Sequence, residues 1–109
     1  MQMVIQALEA KKAQDILILD LRGLTIIADY FVIATGSSML NNRALIDGLL
    51  DEARKEGMKG LRPEGMDEAT WVLLDLGDVV VHVFDAQHRD FYQLERLWRD
   101  APRVPLPGV

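Results

Sequence analysis

Few residue types in this chain could do chemistry, and their spacing settles most of what they can do. His82 and His88 are its only histidines, and it has no cysteine. Two imidazoles with neither a thiolate nor a His-x-x-x-His spacing do not make a zinc site, so no metal and no cofactor is expected. Ser37 and Ser38 are nucleophiles in type. A serine needs a base within hydrogen-bond reach, and nothing in the spacing brings a histidine to them. Gly36-Ser37 between an apolar run and a helical pattern also invites a phosphate cradle. No lysine follows the serine pair and no Gly-x-Gly-x-x-Gly is present, so a turn with a capping serine is the stronger reading. A nucleotidyltransferase site would follow such a Gly-Ser turn with two carboxylates on a neighbouring strand, holding metal ions. The carboxylates within reach, Asp47, Asp51 and Glu52, fall on a helical pattern instead. Asp75 and Asp78 bracket a turn, where Asp and Gly are favoured for conformation alone. The chain therefore reads as non-enzymatic, with a nucleotide-binding or residual nucleotidyltransferase enzyme as the alternative.

Recognition is better supplied than catalysis. Trp71 follows a polar loop, opens a strand and precedes a turn that carries Asp75 and Asp78. It has two readings, a core tryptophan and an interface anchor, since tryptophan is enriched in binding hot spots. Pattern alone leaves both open. Phe91 and Trp98, at helical spacing, read first as core.

The elements that must position these residues follow from periodicity. Val4, Ile5 and Leu8 recur at helical spacing, which predicts a first helix over 2–13. Ile16-Leu17-Ile18-Leu19 is a short apolar run with the length of a buried strand. Leu24-Thr25-Ile26-Ile27 reads as an extension into a second strand. The centre of that strand, Tyr30-Phe31-Val32-Ile33-Ala34-Thr35, is apolar on both faces and belongs in the middle of a sheet. A serine of Gly36-Ser37-Ser38 is placed to cap a helix over 39–56, where Leu45, Ile46, Leu49, Leu50 and Ala53 form a stripe and Gly57 stands just past the end. Residues 58–70 read as a loop with a short edge strand near Leu61. Trp71-Val72-Leu73-Leu74-Asp75 and Val79-Val80-Val81-His82-Val83-Phe84, joined by Leu76-Gly77-Asp78, predict a tight antiparallel hairpin. Its alternation sets His82 on the face opposite Val79, Val81 and Val83. Asp85 caps a last helix in which Phe91, Leu94 and Trp98 share a face. The order α-β-β-α-β-β-α predicts an α/β fold, a mixed sheet with helices packed on it.

Length and charge bound the rest. A chain of 109 residues fits one domain. The expected division is a domain over 1–100 and a proline-rich extended or disordered tail over 101–109. A net charge of −5, with no basic stripe, argues against direct nucleic-acid binding and for a basic protein partner. The first residues lack the basic and apolar regions of a signal peptide, and no apolar run is long enough to span a membrane. A soluble, cytoplasmic protein without membrane contact is expected.

Three blocks carry a resemblance that covers nearly the whole chain. Ala28-Asp29-Tyr30-Phe31-Val32-Ile33-Ala34-Thr35-Gly36-Ser37-Ser38 is similar to the Iojap family, the ribosomal silencing factors. So is the stretch of residues 71–84, from Trp71 through Leu76-Gly77-Asp78 to Phe84. Arg89-Asp90-Phe91-Tyr92-Gln93-Leu94-Glu95-Arg96-Leu97-Trp98 resembles the family's closing helix. The resemblance implies a nucleotidyltransferase-like fold lacking the catalytic acids. It also implies a partner, the basic β-barrel protein L-fourteen of the large ribosomal subunit, at the face where the small subunit docks. On that resemblance, occupying the face would sterically block subunit joining and repress translation under nutrient limitation. Carried over by position, the interface maps to Trp71, Asp75, Leu76, Gly77 and Asp78, with Trp71 as anchor. A homodimer is a further state seen in the family. Met39-Leu40-Asn41-Asn42 departs from the polar and basic residues that usually follow the serine pair.

Overall fold

The apolar runs become strands, and the longest helical stripe closes one face of them. The computed structural model describes residues 1–106. In chain order the elements are α1 (Gln2–Ala10), β1 (Gln14–Asp20), β2 (Tyr30–Thr35), α2 (Met39–Lys55), β3 (Trp71–Asp75), β4 (Val79–Phe84), α3 (Ala86–Tyr92), α4 (Leu94–Leu97) and β5 (Arg103–Val104). They form a five-stranded mixed sheet in the order β3-β4-β2-β1-β5. The central position of β2 follows from its sequence, since a strand apolar on both faces has to be covered on both. It runs parallel to β4 and antiparallel to β1. The β3–β4 hairpin is antiparallel, in the register Trp71↔Phe84 to Asp75↔Val80.

Strand alternation sorts the side chains into two cores. On one face Ile18, Val32, Ala34, Val72, Leu74, Val81 and Val83 pack against Val4, Ile5 and Leu8 of α1 and Leu45, Ile46 and Leu49 of α2. On the other lie Leu19, Phe31, Ile33, Val80 and Phe84, covered by Trp71, Leu73, Leu94 and Trp98. Helix α2 begins and ends as its sequence dictates. The Ser38 hydroxyl accepts the Asn41 N–H at 2.9 Å. At the other end the Gly57 and Met58 N–H groups donate to the Arg54 and Ala53 carbonyls, the pairing of a Schellman motif.

Three expectations are corrected. Residues 24–27 do not extend β2. The Leu24 and Thr25 N–H groups turn back onto the Leu21 carbonyl, and Ile26 and Ile27 are exposed. No neighbouring strand continues past Tyr30, so those backbone groups satisfy themselves locally. The segment near Leu61 contributes no strand; Glu64 forms a single bridge to Leu73. The last helix is not continuous, because Gln93 adopts a left-handed conformation, φ 47°, and divides it into α3 and α4. That break rotates Phe91 off the face shared by Leu94 and Trp98, leaving it 78% exposed rather than in the core. At the chain's end Arg103–Val104 pairs with β1, while residues 107–109 of the expected tail lie outside the described residues.

Candidate partner-binding site

The turn between β3 and β4 is held from three sides. Gly77 has φ +94° and Asp78 has no positive φ, the sign pattern of a type II′ hairpin turn. The Leu76 N–H donates to the Val79 carbonyl at 2.8 Å. A carboxylate oxygen of Asp75 accepts the Gly77 N–H at 2.8 Å. The Asp78 carbonyl accepts two N–H groups, from Asp29 at 2.9 Å and Tyr30 at 3.0 Å, fastening the turn to the start of β2. Asp75, Gly77 and Asp78 are exposed. Leu76 is half-buried and packs against the α1/α2-side core. The same end of the molecule carries a groove of about 510 Å³ whose lining includes Met1, Met3, Met58, Leu76 and Asp78.

Trp71 sits at the opposite end of β3. Asp75 lies four residue steps further along the extended chain, roughly 13 Å at about 3.3 Å per residue. Residues 71, 73 and 75 alternate onto one face, so Trp71 and Asp75 project to the same side of the sheet. The two features share one edge strand and do not form one pocket. Trp71 is half-buried. Its ring stacks on Phe84 with centroids 5.1 Å apart and lies 4.7 Å from the Tyr92 ring. The ring thus packs inward, as a core tryptophan does, and keeps part of its surface outside.

The segment before β3 also shapes this edge. Glu64 exchanges two backbone hydrogen bonds with Leu73, each 2.9 Å, covering the middle of the edge strand and placing a further carboxylate along it. Gly65 has φ +87°, and a Cβ there would run into the Trp71 carbonyl oxygen. A glycine is thus required for the loop to lie against β3.

His82 lies beside Trp71. It is 3% exposed, its ring 4.5 Å from that of Phe31, and its Nδ1 accepts the Trp71 indole N–H at 3.1 Å. Burial pushes its pKa down to about 4. It faces away from Val81 and Val83, as the alternation predicts. His88 lies elsewhere, with Nδ1 2.8 Å from a carboxylate oxygen of Asp85, the residue that caps α3. Asp47, Asp51 and Glu52 stand on α2. Among the described residues no group of three or more His, Cys, Asp or Glu is placed to hold a metal ion.

The residues that sequence reasoning missed are on α3 and α4. Phe91, Tyr92 and Leu97 are 78%, 48% and 75% exposed. With Trp71, Tyr92 and Phe91 make an aromatic surface beside the β3 edge. Helical spacing assigned Phe91 to the core, and nothing in the sequence marks Gln93 as the residue that breaks the phase. Helix α3 is tied to the sheet through Arg89, whose guanidinium donates to the Thr35 hydroxyl at 2.8 Å and to the Asp15 carbonyl at 2.6 Å.

Comparison with known proteins gives a consistent result. The family model described as "Ribosomal silencing factor during starvation" matches residues 1–109. A ribosomal silencing factor RsfS from Halalkalibacterium halodurans is 44% identical over 109 residues, 100% of this chain and 93% of that one. Its counterpart from Bacillus subtilis is 48% identical over 100 residues, 92% of this chain and 85% of that one. The chloroplastic protein Iojap of Zea mays is 37% identical over 99 residues, 88% of this chain but 42% of the plant protein. A crystal structure from Bacillus halodurans superposes with a TM-score of 0.85 at 40% identity, over 96% of this chain and 95% of that one. Another, from Chromobacterium violaceum, gives 0.86 at 34% identity, over 99% and 89%.

Proposed function

The chain belongs to the family of ribosomal silencing factors, and from that premise we propose that it acts in the cytoplasm as a translational repressor, binding the large ribosomal subunit through its protein L-fourteen and blocking the small subunit from joining. The mechanism is steric and needs no catalytic group. A body of about 33 × 31 × 28 Å held on the joining face fills space that the incoming subunit must occupy. Trp71, Asp75, Leu76, Gly77 and Asp78 form the proposed contact.

The observation that carries this reading is the fixed acidic end of the β3–β4 hairpin, on the same edge strand and the same side of the sheet as Trp71. A turn held by Asp75 and by the Asp78 carbonyl pays little ordering entropy on binding. The exposed carboxylates of Asp75 and Asp78 set orientation and association rate toward a basic partner, and Trp71 supplies apolar area that water leaves. A homodimer built on the same strip would compete with the subunit.

Co-sedimentation with isolated large subunits tests the proposal. The parent protein is expected to travel with them, and Trp71→Ala to bind about 2 kcal/mol more weakly, roughly thirtyfold. Equal binding by the two would remove Trp71 from the interface. Saturable heat on titration with ATP and magnesium, without subunit binding, would favour a nucleotide-binding enzyme instead.

A further inference from the structure

Packing leaves one degree of freedom of Trp71 undetermined, and one hydrogen bond removes it. The ring packs against Phe84 and Tyr92, which also touch each other, their centroids 6.2 Å apart. Stacking of this kind tolerates in-plane rotation and sliding, because it has no directional atom pair. The indole N–H is the only polar group on the ring, and it points at Nδ1 of His82, 3.1 Å away.

An indole nitrogen donates and does not accept, so Nδ1 of His82 has to be bare. With its pKa pushed down to about 4 by burial, the imidazole is neutral at physiological pH and carries its single proton on Nε2. That Nε2 is buried with no hydrogen-bond partner among the described residues. An unpaired buried donor is costly, and an aliphatic side chain would fill the space between Phe31 and Trp71 without that penalty. Packing alone therefore does not account for a histidine here. The hydrogen bond to Trp71 does.

We propose that His82 is a positioning residue for Trp71: by accepting the indole N–H it fixes the orientation of the ring and leaves Trp71 no hydrogen bond to offer a partner. What Trp71 then presents is ring surface only. That surface suits an aliphatic stem or a cation, both found on lysine and arginine, and gives no reward to a partner carbonyl or carboxylate. This inference rests on the reading of Trp71 as the binding anchor and specifies the chemistry that anchor selects.

Nitrogen NMR of the parent protein, together with binding to large subunits, tests it. At neutral pH His82 is expected as the neutral Nε2–H tautomer. The Trp71 indole proton, told apart from that of Trp98 with a Trp98→Phe variant, is expected to exchange slowly with solvent. His82→Leu should speed that exchange and weaken subunit binding at least tenfold, and His82→Gln, which keeps an acceptor, should recover part of both. In a Trp71→Phe background, where no N–H remains, His82→Leu should cause little further loss. Any core substitution lowers thermal stability, but only a positioning role predicts this non-additivity and the recovery by glutamine. An imidazolium or an Nδ1–H tautomer at neutral pH would overturn the proposal even if His82→Leu fails to fold. So would additive losses, or unchanged binding by a folded His82→Leu protein. Failure of the underlying reading looks different: Trp71→Ala would then bind as the parent does, whatever His82 does.

Discussion

The two faces of the sheet are built on different principles. The α1/α2 face is aliphatic, closed by a 17-residue capped helix, and its core residues include Leu8, Leu45, Leu49, Leu74 and Val83, all at 0% exposure. The α3/α4 face mixes buried aliphatic residues such as Leu19, Leu21, Ile33 and Val80 with aromatic and polar ones, and neither of its short helices contributes a buried residue. It is held by ring contacts among Trp71, Phe84 and Tyr92 and by hydrogen bonds from Arg89 and Trp71. Aliphatic packing gains from area and is indifferent to direction, whereas ring and hydrogen-bond contacts are directional and tolerate partial exposure. Both faces bury a core; the α3/α4 face in addition holds side chains in set orientations at the surface.

The sharpest way to break that contrast is to truncate one residue from each face. Leu45→Ala, wholly enclosed, should lose about 3 kcal/mol in urea unfolding, while Phe91→Ala should change stability by less than about 0.5 kcal/mol. Similar losses for the two would mean that α3 is a core element after all.

Acid should act on the aromatic face. The folded-state pKa of His82, about 4, lies below the ordinary value of about 6.5, so the unfolded chain binds the proton first. Stability from this group is present above pH 6.5 and is lost as pH falls toward 4. Between pH 7 and 4.5 the loss is about 2 kcal/mol. The fall in unfolding free energy between pH 7 and 4.5 should be smaller by that amount in His82→Leu.

Removing the Arg89 tether is a smaller change. Arg89→Ala should lower global stability by about 1 kcal/mol, and amide exchange should quicken in α3 more than in α2. The smallest effect on folding is expected at the hairpin tip. Asp78→Asn keeps the carbonyl that accepts from Asp29 and Tyr30, so stability should move by less than about 0.5 kcal/mol. Its signature lies in binding instead, with a slower association rate and a weaker dependence on salt, read by stopped-flow mixing with large subunits.

Much of the architecture was open to a sequence reading because it depends on local rules. Period-2 alternation in β4 assigned His82 to the face opposite Val81 and Val83, the two-face apolarity of β2 put it mid-sheet, and the serine pair, Gly57, Gly77 and Asp85 marked their caps and turn. The turn that carries the candidate residues was legible for the same reason, since Asp75 and Gly77 are written into it, whereas their role as a contact came only from the family resemblance. What failed was decided by contacts distant in sequence. Residues 24–27 have strand-like composition but no neighbour to pair with. Phe91 has helical spacing but sits on the wrong side of the Gln93 break.

Composition and spacing by themselves determined that the chain has no cysteine and no His-x-x-x-His pair. Tertiary structure decided which of the remaining residues meet. Trp71 and His82 are eleven positions apart, and only the register of β3 against β4 brings indole and imidazole to 3.1 Å. Neither residue type nor periodicity encodes that distance. It follows from pairing two strands through a turn whose length and handedness Gly77 sets, which converts two ordinary positions into one oriented surface.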